Sequence, residues 1–147
     1  MADSVVTASA VISFAARLED SSTTFYEALA ERFAEEEEMF LAFARDSQKN
    51  KTLVVRTYRE TISDALEAGF SFQGLDLERH EVETVVDDDV GWSEALDRAI
   101  EIERRAIDFY LDVAERSRSL LATIPMAFKS VAKRRKRRKR RLLQWLK

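Results

Sequence analysis

The chain has 147 residues, 46% of them hydrophobic and 35% charged, with three glycines and one proline. This composition is typical of one soluble helical domain over residues 1–147, and the absence of cysteine excludes disulfides, iron–sulfur clusters and cysteine nucleophiles. The net charge is −3, and no apolar stretch approaches the roughly 18 residues of a membrane-spanning helix, so we expect a cytoplasmic protein.

Two apolar stripes in the first half predict two long helices. The first comprises Val11, Phe14, Ala15, Leu18, Phe25, Tyr26, Leu29 and Phe33. The second comprises Phe40, Phe43, Val54, Tyr58, Ile62 and Ala65. Spacings of three and four residues are those of one helix face. No glycine or proline separates the stripes, so a break near residue 34 is predicted from an internal repeat, with Glu35–Glu38 favouring a helix N-terminus beyond it.

A long connection follows the second stripe. All three glycines, Gly69, Gly74 and Gly91, fall in or beside it. It spans about 20 residues, longer than most ordered loops, which favours a crossover between distant helices over a tight turn. His80 is the only histidine of the chain and falls in this connection, where we expect it on the surface.

Two more helices are predicted in the second half. The third runs from Ser93 to about Arg118, because its apolar residues again recur at three and four residues. A fourth helix starts near Thr123, which would place Pro125 in the first turn, where proline is tolerated.

The two halves share an internal repeat. A hydrophobic residue and Glu, then Phe-Tyr, then Ala-Glu-Arg occur in residues 18–32 and again, 84 residues later, in residues 102–116. Residues 40–44 and 128–132 match at an offset of 88. The duplication predicts two helical hairpins, joined by the crossover, that pack together as an antiparallel four-helix bundle, because neither hairpin can bury its own stripe.

In each half, a Glu precedes Phe-Tyr by six residues on one helix, and a hydrophobic residue followed by Ala occurs on the next helix. This repeated pattern resembles the rubrerythrin-like branch of the ferritin-like superfamily. The resemblance covers nearly the whole chain and implies a ferritin-like bundle, often paired as a homodimer. It also implies two iron or manganese ions, held by one Glu from each of two helices and by Glu-x-x-His from each of the others. Glu19 and Glu103 match the single-Glu positions. The Glu-x-x-His positions instead hold Ser47, Asn50, Arg135 and Arg138.

Three interpretations of Glu19 and Glu103 stay open. They reach solvent or bond to Tyr and Ser without further function; they retain metal with unrecognised ligands; or they pair with Arg135 and Arg138 in a charge-balanced replacement of the metal centre. The last requires near-complete pairing, because an unpaired buried charge costs several kcal/mol. Further oxygen ligands would require rotated helices and would come from Asp20, Glu27, Asp46, Glu101 and Asp108. The helical period independently places all six matched positions inside the bundle.

The C-terminal segment, residues 133–147, is strongly basic. It holds ten basic and no acidic residues, whereas residues 1–132 hold 14 basic and 27 acidic. Mutual repulsion favours an acidic protein surface, an anionic membrane or nucleic acid as partner. The predicted polyanion-binding residues are Lys133, Arg134, Lys136, Arg137, Lys139, Arg140 and Arg141. Leu142, Leu143, Trp145 and Leu146 follow directly and make a short amphipathic terminus that suits a membrane interface. Alternatively, the run lies against the acidic body of its own chain or of a neighbouring subunit, with Leu142 and Trp145 packing at the end of the bundle, or it fails to form a regular fourth helix.

The sequence therefore favours a scaffold or binding protein that acts through residues 133–147, with no cofactor and no identified catalytic residue. The alternative is an enzyme of rubrerythrin type, a dimetal peroxidase or oxidase, or an iron-handling protein. That alternative would use Glu19 and Glu103 with non-standard ligands to iron or manganese.

Overall fold

The computed structural model describes residues 6–61, 72, 74–117 and 123–145, and these residues form four long helices and no strand. The helices are α1 (Ala8–Arg32), α2 (Glu37–Thr61), α3 (Trp92–Arg116) and α4 (Thr123–Gln144). Short 3-10 turns occur at Ala34–Glu36 and Glu78–His80. Within the described ranges, no helix has the length and apolar character needed to span a membrane.

The predicted break near residue 34 is confirmed. The N–H of Phe33 closes α1 by donating to the carbonyl of Leu29 at 2.8 Å. Glu37 and Glu38 then occupy the first turn of α2, where the positive end of the helix dipole favours carboxylates. The turn thus needs neither glycine nor proline.

The starts of the third and fourth helices, Trp92 and Thr123, agree with the sequence prediction. The C-terminal run forms the continuous helix α4, so the interpretation in which it fails to pack regularly is wrong. The predicted residues Ile62, Ala65 and Arg118 lie outside the described ranges.

The four helices form a bundle. α1 packs chiefly against α2, and α3 chiefly against α4, while α2 also contacts α4 and α1 also contacts α3. Two apolar clusters lie along the bundle axis, and their larger members include Phe14, Val54, Phe109 and Phe128 in one and Phe25, Phe40, Leu96 and Leu142 in the other. In each helix, buried polar residues fall between the two clusters. The polar side chains therefore occupy one layer in the middle of the core.

Residues 74–91, here called the strap, lie along α1 and α3. Gly74 has φ +79°, and a Cβ there would approach a guanidinium nitrogen of Arg116 to 2.6 Å, so this position suits glycine. Arginines hold the strap through its backbone carbonyls: Arg32 donates to Val90 (3.0 Å), Arg98 to Glu83 (3.2 Å), and Arg105 to Arg79 and Glu81 (3.1 and 3.2 Å).

His80 is buried, and the expectation that it lies on the surface is wrong. Only 3% of the residue is exposed, and Nε2 lies 3.0 Å from a carboxylate oxygen of Asp112 on α3. Its ring also meets the edge of Phe109. The physical reason is that the strap lies flat on the bundle, which places this polar side chain against the core, where a carboxylate satisfies it.

Candidate functional site

Arg135 joins two buried carboxylates at the centre of the bundle. Arg135, Glu19 and Glu103 are all 0% exposed and come from α4, α1 and α3. The guanidinium contacts both oxygens of Glu19, at 2.8 and 3.2 Å, and one oxygen of Glu103 at 2.8 Å. It also donates to Ser22 Oγ at 2.9 Å. Arg135 thus satisfies two carboxylates at once, one of them in the bidentate geometry that makes such pairs strong.

Arg138 lies one helical turn further along α4 and extends the cluster. Its Nη1 donates to Glu103 Oε2 at 3.2 Å and to Ser47 Oγ at 3.1 Å, and its Nη2 donates to Asp46 Oδ2 at 3.0 Å. The guanidinium also lies 5.4 Å from the ring centroid of Tyr26. The Asp46 side chain is 37% exposed, so it connects the buried cluster to the protein surface.

Two tyrosines also donate hydrogen bonds to the carboxylates. Tyr26 Oη donates to Glu103 Oε2, and Tyr110 Oη donates to Glu19 Oε2, each at 2.5 Å. Each phenol therefore bonds to the glutamate of the opposite helix, not to the glutamate in its own repeat. The pairing is symmetric because the two repeats contribute equivalent residues 84 positions apart.

The electrostatics of the cluster follow from this pairing. Burial alone would raise the pKa of Glu103, but the guanidiniums of Arg135 and Arg138 hold it below its ordinary value. Burial and the adjacent carboxylates raise the pKa of Tyr26 and Tyr110, which keeps both phenols neutral. Burial alone would lower the pKa of Arg135, yet the glutamates raise it well above its ordinary value. The network therefore combines the ionised carboxylate of Glu103, the charged guanidinium of Arg135 and two neutral phenols.

The six positions matched to metal ligands are all buried, as the helical period predicts. Five of them join one hydrogen-bonded network: Glu19, Glu103, Ser47, Arg135 and Arg138. The sixth, Asn50, instead accepts from Arg134 at 3.1 Å. Among the described residues, Nδ2 of Asn50 and Nε of Arg138 are buried and have no hydrogen-bond partner. The structure therefore contains the pairing of arginine with glutamate, one of the three interpretations that the sequence leaves open.

Most of the additional oxygen donors considered from the sequence lie elsewhere. Asp20 pairs with Lys51 at 3.0 Å, and Glu101 pairs with Arg105 at 2.8 Å on the bundle surface. Glu27 and Asp108 are exposed. Asp46 alone reaches the cluster, through Arg138, so it serves as an ion-pair partner.

The residues of the cluster do not fit a pair of metal ions. A guanidinium has only hydrogen-bond donors and no lone pair to give a metal, and Arg135 fills the space between the two carboxylates. Both carboxylates also already accept from a phenol. In the part of the chain that the structure describes, no group of three or more His, Cys, Asp or Glu could hold a metal ion.

The outer side of α4 differs from its inner side in charge. Lys133, Lys136, Arg137, Arg140 and Arg141 are exposed, whereas Arg134 and Lys139 are half-buried. Within the described residues, none of these seven forms an ion pair; Arg134 bonds to Asn50, and Arg141 lies 5.8 Å from the ring centroid of Phe43. Of the nine consecutive cations, only Arg135 and Arg138 are therefore neutralised by carboxylates of the described chain.

The apolar residues after the basic run belong partly to the bundle. Leu142 is fully buried in the core, and the ring of Trp145 meets that of Trp92 at 5.6 Å. Trp145 and Leu143 remain 39% and 40% exposed. Leu146 lies outside the described residues.

Sequence reasoning missed three features of this region: the crossed tyrosine pairing, the role of Asp46 and the buried pair of His80 with Asp112. The repeated Phe-Tyr was the signal for the first, since a duplicated polar aromatic in a core stripe requires a partner. In comparisons with known proteins, no family model, no curated protein and no solved structure gives a significant match to this chain.

Proposed function

We propose that the protein is a ferritin-like, metal-independent four-helix bundle that binds polyanions through the outer side of α4. The observation that supports this most directly is the division of the basic run. Two of its arginines are buried against carboxylates. Five of the other seven cations are exposed, and none of the seven has an ion-pair partner within the described residues. A row of unneutralised cations on a rigid helix attracts and retains polyanions.

Contacts along the bundle support an antiparallel, ferritin-like arrangement. Thr23 approaches the carbonyl of Ala44, whereas Asp20, earlier in α1, contacts Gln48 and Lys51, later in α2. Position numbers therefore rise along α1 as they fall along α2. The long connection between α2 and α3 and the internal repeat fit the same architecture.

The buried cluster supports a structural role for Arg135 and Arg138 in this function. Because both side chains bond to the interior, they fix the rotation of α4 about its own axis. Because the side chains of a helix point in fixed directions around its axis, the cations between and around Arg135 and Arg138 are then held on the outer side of α4. The cluster would thus position the binding residues, and metal would not be needed to hold the bundle together.

The groups around Glu19 and Glu103 argue against the dimetal alternative, an iron or manganese oxidoreductase at these two residues. Both carboxylates are occupied by guanidinium and phenol donors, and nitrogen ligands are lacking near them among the described residues. Elemental analysis of protein purified without chelator separates the two functions, because the proposed function expects no tightly held iron or manganese.

A heparin column tests polyanion binding. The α4 variant, Lys133→Gln with Arg137→Gln and Arg140→Gln, removes three exposed charges, and we expect it to elute at clearly lower salt than the unaltered protein. Because binding releases counterions, the size of this shift reports how strongly the three side chains engage the polyanion.

A charge-matched control accompanies it. The control variant, Arg17→Gln with Arg79→Gln and Arg104→Gln, removes three exposed arginines from α1, the strap and α3. We expect it to elute close to the unaltered protein. Equal shifts for both variants would mean that overall charge, not the α4 surface, governs retention, and the proposed function would be rejected.

A further inference from the structure

The bundle is electrically two-sided. The neighbouring helices α2 and α4 together hold 15 basic and four acidic residues, while the neighbouring helices α1 and α3 hold six basic and 11 acidic. The strap adds seven more acidic residues and lies along α1 and α3, held by their arginines. The strap is therefore on the acidic side, away from the side that α2 and α4 form.

α2 contributes a row of cations of its own. Between Arg45 and Arg59 it contains five basic residues and a single carboxylate, Asp46, which is engaged by Arg138. Arg45, Lys49 and Arg56 are exposed and follow each other at spacings of four and seven residues, which places them on one face of the helix. This stretch of α2 therefore has no spare carboxylate to relieve the repulsion within its row.

The contacts between α2 and α4 bring the Arg45 and Lys49 part of this row beside the cations of α4, and Arg56 extends the row beyond them along α2. Arg134 bonds to Asn50 at 3.1 Å, and Arg138 bonds to Asp46 at 3.0 Å. Arg141 lies over the ring of Phe43. These contacts define the line where the two helices meet. The exposed rows lie on either side of that line and form one surface, the α2/α4 face.

The dimensions of the α2/α4 face fit two charged strands. At 1.5 Å per residue, the row from Lys133 to Arg140 is about 10 Å long and the row from Arg45 to Arg56 about 16 Å long. Packed helices lie roughly 8–10 Å apart, between the widths of the minor groove of B-form DNA, about 6 Å, and of its major groove, about 12 Å. A duplex presents two phosphate strands whose separations across its two grooves bracket this distance, whereas a single strand presents one row.

We infer that the α2/α4 face binds the phosphate backbone of double-stranded nucleic acid without reading its sequence; this inference rests on the proposed function and specifies its partner. The rows consist of arginine and lysine, and arginine matches phosphate in bidentate geometry. No exposed large apolar side chain lies between Arg45 and Arg56 or between Lys133 and Arg140, and those in or just after α4 (Met126, Leu143 and Trp145) lie beyond the ends of its row. The ring of Trp145 packs against Trp92 and is not placed along either row where a base could stack on it. We therefore expect no recognition of the bases.

Fluorescence anisotropy with a labelled duplex of about 24 base pairs and mixed sequence tests the inference. Three contacts from each row give about six in total, so the affinity should fall about 10³-fold between 50 and 200 mM salt, with a slope of log affinity against log salt near −5. The α2 variant, Arg45→Gln with Lys49→Gln and Arg56→Gln, should reduce that slope to about half, and the α4 variant should do the same. The control variant should keep the full slope.

Two further probes distinguish the partner. A single strand of the same length should bind at least about tenfold more weakly than the duplex at 100 mM salt, because it engages one row. Vesicles containing anionic phosphatidylserine should bind more weakly than the duplex at the same salt. Circular dichroism of each variant verifies that the bundle is folded.

The outcomes separate this inference from the proposed function. If heparin and the duplex both depend on α4 but the α2 variant binds the duplex like the unaltered protein, the two-row surface is wrong while polyanion binding stands. The same holds if vesicles or single strands are preferred to the duplex. If the α4 variant binds both heparin and the duplex like the unaltered protein, both proposals are overturned.

Discussion

Replacing Arg135 by methionine removes the cation between two buried carboxylates. The guanidinium makes three contacts to Glu19 and Glu103 and one to Ser22, all without exposure to solvent. Deleting one partner of a buried ion pair typically costs about 3–5 kcal/mol, because the remaining charge is left unpaired. At roughly 2–4 °C per kcal/mol for a chain of this size, the midpoint of thermal unfolding should fall by about 6–20 °C.

Thermal and urea unfolding followed by circular dichroism measure this destabilisation. Arg137→Met, two positions along α4 and exposed, is the matched control and should change the free energy of unfolding by less than about 0.5 kcal/mol. The triple variant Glu19→Gln, Glu103→Gln and Arg135→Met should recover most of the stability, since it removes both carboxylates together with the cation between them, and Arg138 keeps its ion pair with Asp46. The reasoning fails if Arg135→Met and Arg137→Met prove equally stable.

Three further outcomes follow from the same cluster. Iron and manganese together should be below about 0.1 ion per chain by plasma mass spectrometry after chelator-free purification, while about two ions per chain would restore the dimetal alternative. Because the pKa of Glu103 is lowered in the fold, its stabilising contribution is present above about pH 4.5 and is lost as the pH falls through the folded pKa. Urea unfolding between pH 3 and 7 should show that decline in the unaltered protein and less of it in Glu103→Gln. Tyr26→Phe and Tyr110→Phe should each lower the free energy of unfolding by about 1.5–3 kcal/mol, the range for a hydrogen bond to a charged group, and very unequal effects would contradict the symmetric pairing.

Helix phase was the part of the site that the sequence could predict. Once the apolar stripes fix which side of each helix is inward, Ser47, Asn50, Arg135 and Arg138 must share that side with the core residues. A buried arginine requires a nearby opposite charge. The carboxylates that the stripes place on the inward side are Glu19 and Glu103, so these are the expected partners. Likewise, the repeat predicted a break near residue 34 that no glycine or proline marks, and α1 closes there, at Phe33.

The partners of the remaining polar groups could not be predicted, because they depend on distances between helices. Tyr26 and Glu19 are close in sequence and share a face, yet the phenol reaches across to Glu103. The strap illustrates the same limit, since its irregular backbone has no period to reveal that His80 faces inward against Asp112. Local patterns specify direction within a helix, and tertiary packing specifies which neighbour is met.

The separation of charge between the strap side and the α2/α4 face gives the molecule a permanent dipole moment. Such a dipole turns in the field of an approaching polyelectrolyte, so productive orientation begins before contact and the association rate rises. Because of the same dipole, two unbound molecules of the protein present oppositely charged surfaces to each other. In dilute buffer they should attract one another, and because the Debye length shortens to about 10 Å at 0.1 M salt, modest ionic strength should keep the purified protein dispersed.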